Sequence, residues 1–125
     1  MFFYNGNIGT VLNGPPTSPT VFTLATEKTL TSLQTYHWNV GKGALPGTLS
    51  LSNSNGTVYG PWQAVGLPGQ GGVPNAYWKA TPNILLAAGT YTIIDSDPGT
   101  WSQNAGSLGK GIAWANAAEG IATTP

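Results

Sequence analysis

Thr48-Leu49-Ser50-Leu51-Ser52-Asn53-Ser54-Asn55-Gly56-Thr57-Val58-Tyr59 is the stretch that decides the fold class. Apolar and polar residues alternate from residue 48 to 52, and a period of two places Leu49 and Leu51 on one face of a strand. Asn53-Ser54-Asn55-Gly56 then supplies a reversal, because Asn and Gly tolerate the positive φ of a tight turn. Thr57-Val58-Tyr59 returns as the partner strand. The reading is a β-hairpin with a buried leucine face.

The same grammar continues on both sides. Residues 21–24 and 29–38 are rich in β-branched and aromatic side chains and predict strands. Within the second of these, Tyr36 and Trp38 share one face, and His37 takes the other with Leu33. Downstream, strands are predicted over residues 62–65, 76–80, 90–95 and 112–114. Residues 90–95 are the strongest of these, with Tyr91 and Ile93 on one face. Proline and glycine separate them: Asn13-Gly14-Pro15-Pro16 opens a loop before residue 20, residues 66–74 form a long Gly/Pro-rich loop, and Asp97-Pro98-Gly99 is a turn. Residues 106–111 make a further loop, and residues 115–120 suit one helical turn. No stretch sustains a 3.6-residue period, so no helix longer than two turns is expected. About eight short strands at this spacing predict an all-β chain, an antiparallel β-sandwich of jelly-roll type. Residues 1–125 read as one domain, with 117–125 a frayed end.

Composition narrows the function. Among 125 residues there are four Lys and Arg together, four Asp and Glu together, one His and no Cys. A formal net charge of zero argues against nucleic acid, which is bound through a basic surface. No apolar run is long enough to insert in a membrane as a helix. The lack of Cys excludes disulfides, thiolate metal sites and a Cys nucleophile, and a single His speaks against catalytic zinc. Only 6% of residues are charged, so polarity rests on amides and hydroxyls. Such surfaces suit an extracellular or cell-surface protein that meets neutral polymers, with its signal peptide already removed. They also leave little electrostatic protection against self-association.

Four stretches look alike to a known set. They are Tyr36-His37-Trp38-Asn39 with Gly41-Lys42-Gly43; Val58-Tyr59-Gly60-Pro61-Trp62-Gln63-Ala64; Gly69-Gln70-Gly71-Gly72-Val73-Pro74-Asn75-Ala76-Tyr77-Trp78; and Ala88-Gly89-Thr90-Tyr91-Thr92-Ile93-Ile94-Asp95-Ser96-Asp97-Pro98 with Thr100-Trp101-Ser102 and Asn104. Together they resemble a β-rich domain of secreted bacterial proteins that has no settled function. The resemblance implies an extracellular β-domain and no activity. The Ala-rich stretch 115–125 departs from that pattern.

Candidate site residues follow from the aromatics and the acids. Four tryptophans, Trp38, Trp62, Trp78 and Trp101, stand beside turns. Tyr77 and Trp78 point to opposite faces, and at least one of Trp62 and Trp78 is expected to stand exposed beside the 66–74 loop. An exposed ring stacks on the apolar face of a sugar while amides bond its hydroxyls, which makes Trp62, Gln63, Asn75, Tyr77, Trp78, Asp95 and Trp101 the candidate glycan-binding set. The alternative is that all the rings fill the core. Asp95 and Asp97 share a face at i and i+2. They read as turn caps accepting N–H groups of residues 98–101, as calcium ligands, as sugar acceptors or as a catalytic pair. Any metal there would be calcium, since the remaining ligands are oxygens. The leading expectation is a non-catalytic module for a neutral glycan or polysaccharide that needs no cofactor. The alternatives are a self-assembling surface subunit and, third, a small carbohydrate-active enzyme.

Overall fold

The computed structural model describes residues 3–4, 19–102, 111 and 113–119. Two antiparallel sheets pack face to face into a β-sandwich. Among the described residues the strands are β1 (Phe3–Tyr4), β2 (Val21–Leu24), β3 (Lys28–Tyr36), β4 (Thr48–Asn53), β5 (Val58–Gln63), β6 (Val65–Leu67), β7 (Tyr77–Ala80), β8 (Ile84–Leu86), β9 (Gly89–Asp95) and β10 (Ala113–Glu119). The only helical turn described is a 3₁₀ turn at Gln70–Gly72. The larger sheet runs β1-β10-β3-β7-β6, with β8 also on β3; the smaller runs β2-β9-β4-β5. With the short β6 and β8 set aside, the first strand pairs with the last, the second with the seventh, the third with the sixth and the fourth with the fifth.

The expected hairpin forms the β4–β5 ribbon. The Asn53 side chain accepts the N–H groups of Asn55 and Thr57, and Gly56 takes φ 86°. Leu49, Leu51, Tyr91 and Ile93 are all buried, and Leu51 stands opposite Ile93 across β4 and β9. The core adds Phe22 and Leu24 from β2, Leu30 and Leu33 from β3, and Trp78 and Ala80 from β7. Burial of one such leucine contributes about 1.5–3 kcal/mol.

Three departures from simple alternation have physical causes. Leu30 and Leu33 are three residues apart, yet both face the core. Between them Thr31 is an extra residue in the ladder with β10, where Asn116 pairs with Ser32 and Ala117 with Leu30. The Thr31 hydroxyl donates to the Asn116 carbonyl, so the bulge keeps its hydrogen bonds. In β5, Gly60 and Pro61 sit at a second bulge between the Leu49–Trp62 and Leu51–Tyr59 pairs. An edge strand at a bulge is where a residue without an N–H fits. The third departure is the Ala-rich end. In place of a helical turn, β10 continues as strand through Ala117, Ala118 and Glu119, paired with Leu30, Thr29 and Lys28. Helix propensity of alanine is a weak preference, and a full ladder against β3 overrides it. This also places residues 117–119 in the sheet and not in a frayed end. The expected loops at 13–18 and 106–110 and the end at 120–125 lie outside the described residues.

Candidate functional site: a buried polar cluster and an outer aromatic face

One end of the sandwich gathers the loops 37–47, 68–76 and 96–102. The strands deliver them there by register: Tyr36 lies opposite Tyr77, Thr48 opposite Gln63, and Leu49 opposite both Trp62 and Asp95. All seven candidate residues therefore sit at this end, but they divide among three environments.

The first environment is interior. Trp78 is 1% exposed, and its indole N–H donates to the Ala44 carbonyl at 3.0 Å. Trp101 is buried in the same core, closely packed against Gly111, where a Cβ would lie 2.0 Å from its ring. Neither ring offers a face to a ligand. His37 stacks on Trp78 with centroids 3.8 Å apart and planes at 15°. It shares a face with Leu33, as alternation predicts, and that face is the interior one: both are buried. Its Nε2 is 2.6 Å from Asp95 Oδ2, and its Nδ1 is 2.7 Å from Thr100 Oγ1. The Thr35 hydroxyl donates to Asp95 Oδ2 at 2.8 Å, and the Asp97 N–H donates to Asp95 Oδ1 at 2.8 Å. Asp97 Oδ2 in turn accepts the Thr100 hydroxyl at 2.9 Å. Asp95 is thus a tie between the two sheets and the 96–102 loop. The N–H it accepts is that of Asp97, while those of Thr100 and Trp101 go to the Asp97 and Pro98 carbonyls.

The sequence of groups Thr100, His37, Asp95 has the order of a nucleophile, a base and an acid. However, the Thr100 hydroxyl is already engaged by the Asp97 carboxylate. The His37 side chain is fully buried. As for metal, Asp95 Oδ1, Asp95 Oδ2 and Asp97 Oδ2 are engaged by protein donors. Among the described residues no group of three or more His, Asp and Glu side chains could hold a metal ion.

The second environment is the edge. Trp62 is half-buried and leans on the core. Gln63 spends its amide on the Gly47 and Ala64 carbonyls at 3.0 and 3.1 Å, fastening the 37–47 loop to β5. Asn75 adopts φ 56° and lies against Gly66, whose hydrogen leaves room for the amide oxygen.

The third is the outer face of the larger sheet, opposite the core. Tyr77 lies here with Tyr36, Trp38 and Trp114. Tyr36 is fully buried, covered by the residue 69 backbone and surrounded by rings. Ring centroids are 4.9 Å apart for Tyr36–Tyr77, 5.4 Å for Tyr77–Trp114 and 6.5 Å for the stacked pair Tyr36–Trp38. Tyr77, Trp38 and Trp114 remain half-buried, with Val73 beside them. Next along the face are Gln34, paired with Trp114 and Lys79, and the Asn116 amide donating to Ser32 at 2.8 Å.

No family model, curated protein or solved structure matches the chain.

The site is accordingly read from its own geometry. Trp38 and Trp114 belong to it and fall outside the set singled out from sequence. Trp38 had a signal, since it shares a strand face with Tyr36. Trp114 had none, because its partnership with Tyr77 depends on β10 entering the sheet next to β3.

Proposed function

We propose that this domain is a non-catalytic recognition module that binds neutral glycans through the outer aromatic face of its larger sheet. One observation carries the reading: Trp38, Tyr77 and Trp114 form a half-buried ring cluster on the outside of the sandwich, around buried Tyr36. Half-exposed rings present flat apolar surface, and the neighbouring amides Gln34 and Asn116 supply donors and acceptors for hydroxyls. A chain with 6% charged residues and net charge zero matches an uncharged partner met outside the cell. The pairing of first strand with last, second with seventh, third with sixth and fourth with fifth supports a jelly roll as the finer description of the sandwich.

The test is retention on insoluble polysaccharides with competition by soluble sugar. Trp114→Ala and Tyr77→Ala are expected to lose retention while melting within a few degrees of wild type; Trp62→Ala keeps it. Unchanged retention in both face variants sinks the reading.

A second reading, assembly with copies of itself, draws on the edge formed by β5 and β6. Val58, Val65 and Leu67 are 58%, 63% and 37% exposed there, and residues 58–67 contain no charge. Exposed, uncharged edges invite strand pairing. Light scattering that rises with concentration without sugar, and is abolished by Val65→Lys, supports it; a monomer at all concentrations rejects it.

A further inference from the structure

The polar cluster, buried at Thr35, His37 and Asp95 and half-buried at Asp97 and Thr100, holds more hydrogen-bond contacts than its side chains have protons to fill. Asp95 accepts from Thr35 and His37 at Oδ2 and from the Asp97 N–H at Oδ1. Three donors use it as a carboxylate and fix a proton on His37 Nε2. On the other side of the ring, Thr100 Oγ1 lies 2.7 Å from His37 Nδ1, 2.9 Å from Asp97 Oδ2 and, more distantly, 3.3 Å from the Asp97 carbonyl oxygen. A threonine owns one hydroxyl proton. An imidazole already protonated at Nε2, if neutral, presents a lone pair at Nδ1, and a carboxylate presents lone pairs at Oδ2. Two acceptors would then face one hydroxyl, and one contact below 3 Å would be lone pair against lone pair.

One extra proton completes the chain. Placed on Nδ1, it donates to Thr100, which donates to Asp97. Placed on Asp97, it runs the other way, through Thr100 to Nδ1. We propose that the folded protein binds this proton, shared by His37 and Asp97 across Thr100.

The surroundings favour it. The Trp78 ring covers the imidazole face to face, an arrangement that attracts positive charge. Among the described residues, the titratable side chains facing His37 are Asp95 from β9 and Asp97 from the loop after it. Strand β3 contributes Thr35, and β7 contributes Trp78. Lys79 lies on the opposite face of β7 by alternation, and Lys42 is exposed on the 37–47 loop. The inference is independent of what the aromatic face binds.

His37 is the single histidine of the chain, so the ¹⁵N spectrum of its ring is unambiguous. At pH 7.5 a free imidazole is largely neutral. The expected spectrum shows either both ring nitrogens of His37 protonated or the Asp97 ¹³Cγ in its protonated form. In Asp97→Asn the side-chain amide donates to Thr100 and Thr100 to Nδ1, so the chain closes without the extra proton; Thr100→Val removes the bridge itself; in both, His37 becomes a neutral ring protonated at Nε2. A wild-type spectrum with neutral His37 and an Asp97 carboxylate at pH 7.5 overturns the proposal, whether or not the variants fold.

Discussion

Val40 occupies backbone space that a β-branched residue seldom takes. Its φ is 55°, between Asn39 at 48° and Gly41 at 76°, and its side chain is 73% exposed. Three successive left-handed residues make a turn closed by the Lys42 N–H on the Asn39 carbonyl and the Gly43 N–H on the Trp38 carbonyl. A left-handed residue costs roughly 1–2 kcal/mol, less for Asn, whose side chain bonds its own backbone. Val40→Asn is therefore expected to raise stability by on the order of 1 kcal/mol in urea unfolding, since little packing is lost. A decrease would mean that the valine makes contacts its exposure conceals. At this scale the sequence is informative only about neighbours. Alternation places His37 on the same face as Leu33, but nothing in the chain marks that face as inward or Asp95, 58 positions away, as its partner. Trp78 illustrates the converse. Its position beside a Gly/Pro-rich loop suggests exposure, whereas its direction on β7 buries it.

Among the elements, the β4–β5 hairpin was fully legible, because its determinants are local: alternation, then Asn and Gly at the turn. Its central leucine makes a direct test. Leu51 is 0% exposed between Ile93 and Tyr59, and Leu51→Ala is expected to cost about 2–5 kcal/mol. Denaturant midpoints measure it, and a loss below about 1 kcal/mol would place that face in solvent. Strand β2 is equally local, and its observed bounds match those expected. The bulges at Thr31 and at Gly60-Pro61 were not legible, for each is defined by the partner strand it slips against. Nor was β8, a three-residue strand too short to show a period, which forms because the first residues of β3 extend beyond β7. Alanine at β10 reads as helix locally, and only the open side of β3 makes it a strand.

For the molecule as a whole, composition and turn spacing disclosed an all-β sandwich, whereas the strand order came from contacts remote in sequence. Its pH response at the alkaline end follows from Tyr91. Burial raises this phenol above the ordinary tyrosine value, and the nearby Tyr59 phenol adds to the effect. The folded state thus holds the Tyr91 proton to higher pH than the unfolded chain does. The associated stability is intact below about pH 10 and declines as pH rises beyond it. Melting temperatures between pH 9 and 11 should fall, and Tyr91→Phe should flatten part of that fall; an unchanged slope in the variant would reject the assignment. A last consequence lies in the place of β10, the final described strand in sequence, between β1 and β3 in the sheet. A ribosome releases it after every strand it joins. Until then, among the described residues, β1 has no neighbour in the larger sheet, β3 presents a bare flank, and the Tyr36–Tyr77 pair awaits Trp114. The nascent chain can close the β4–β5 ribbon early, but the aromatic face is assembled only after β10 has emerged.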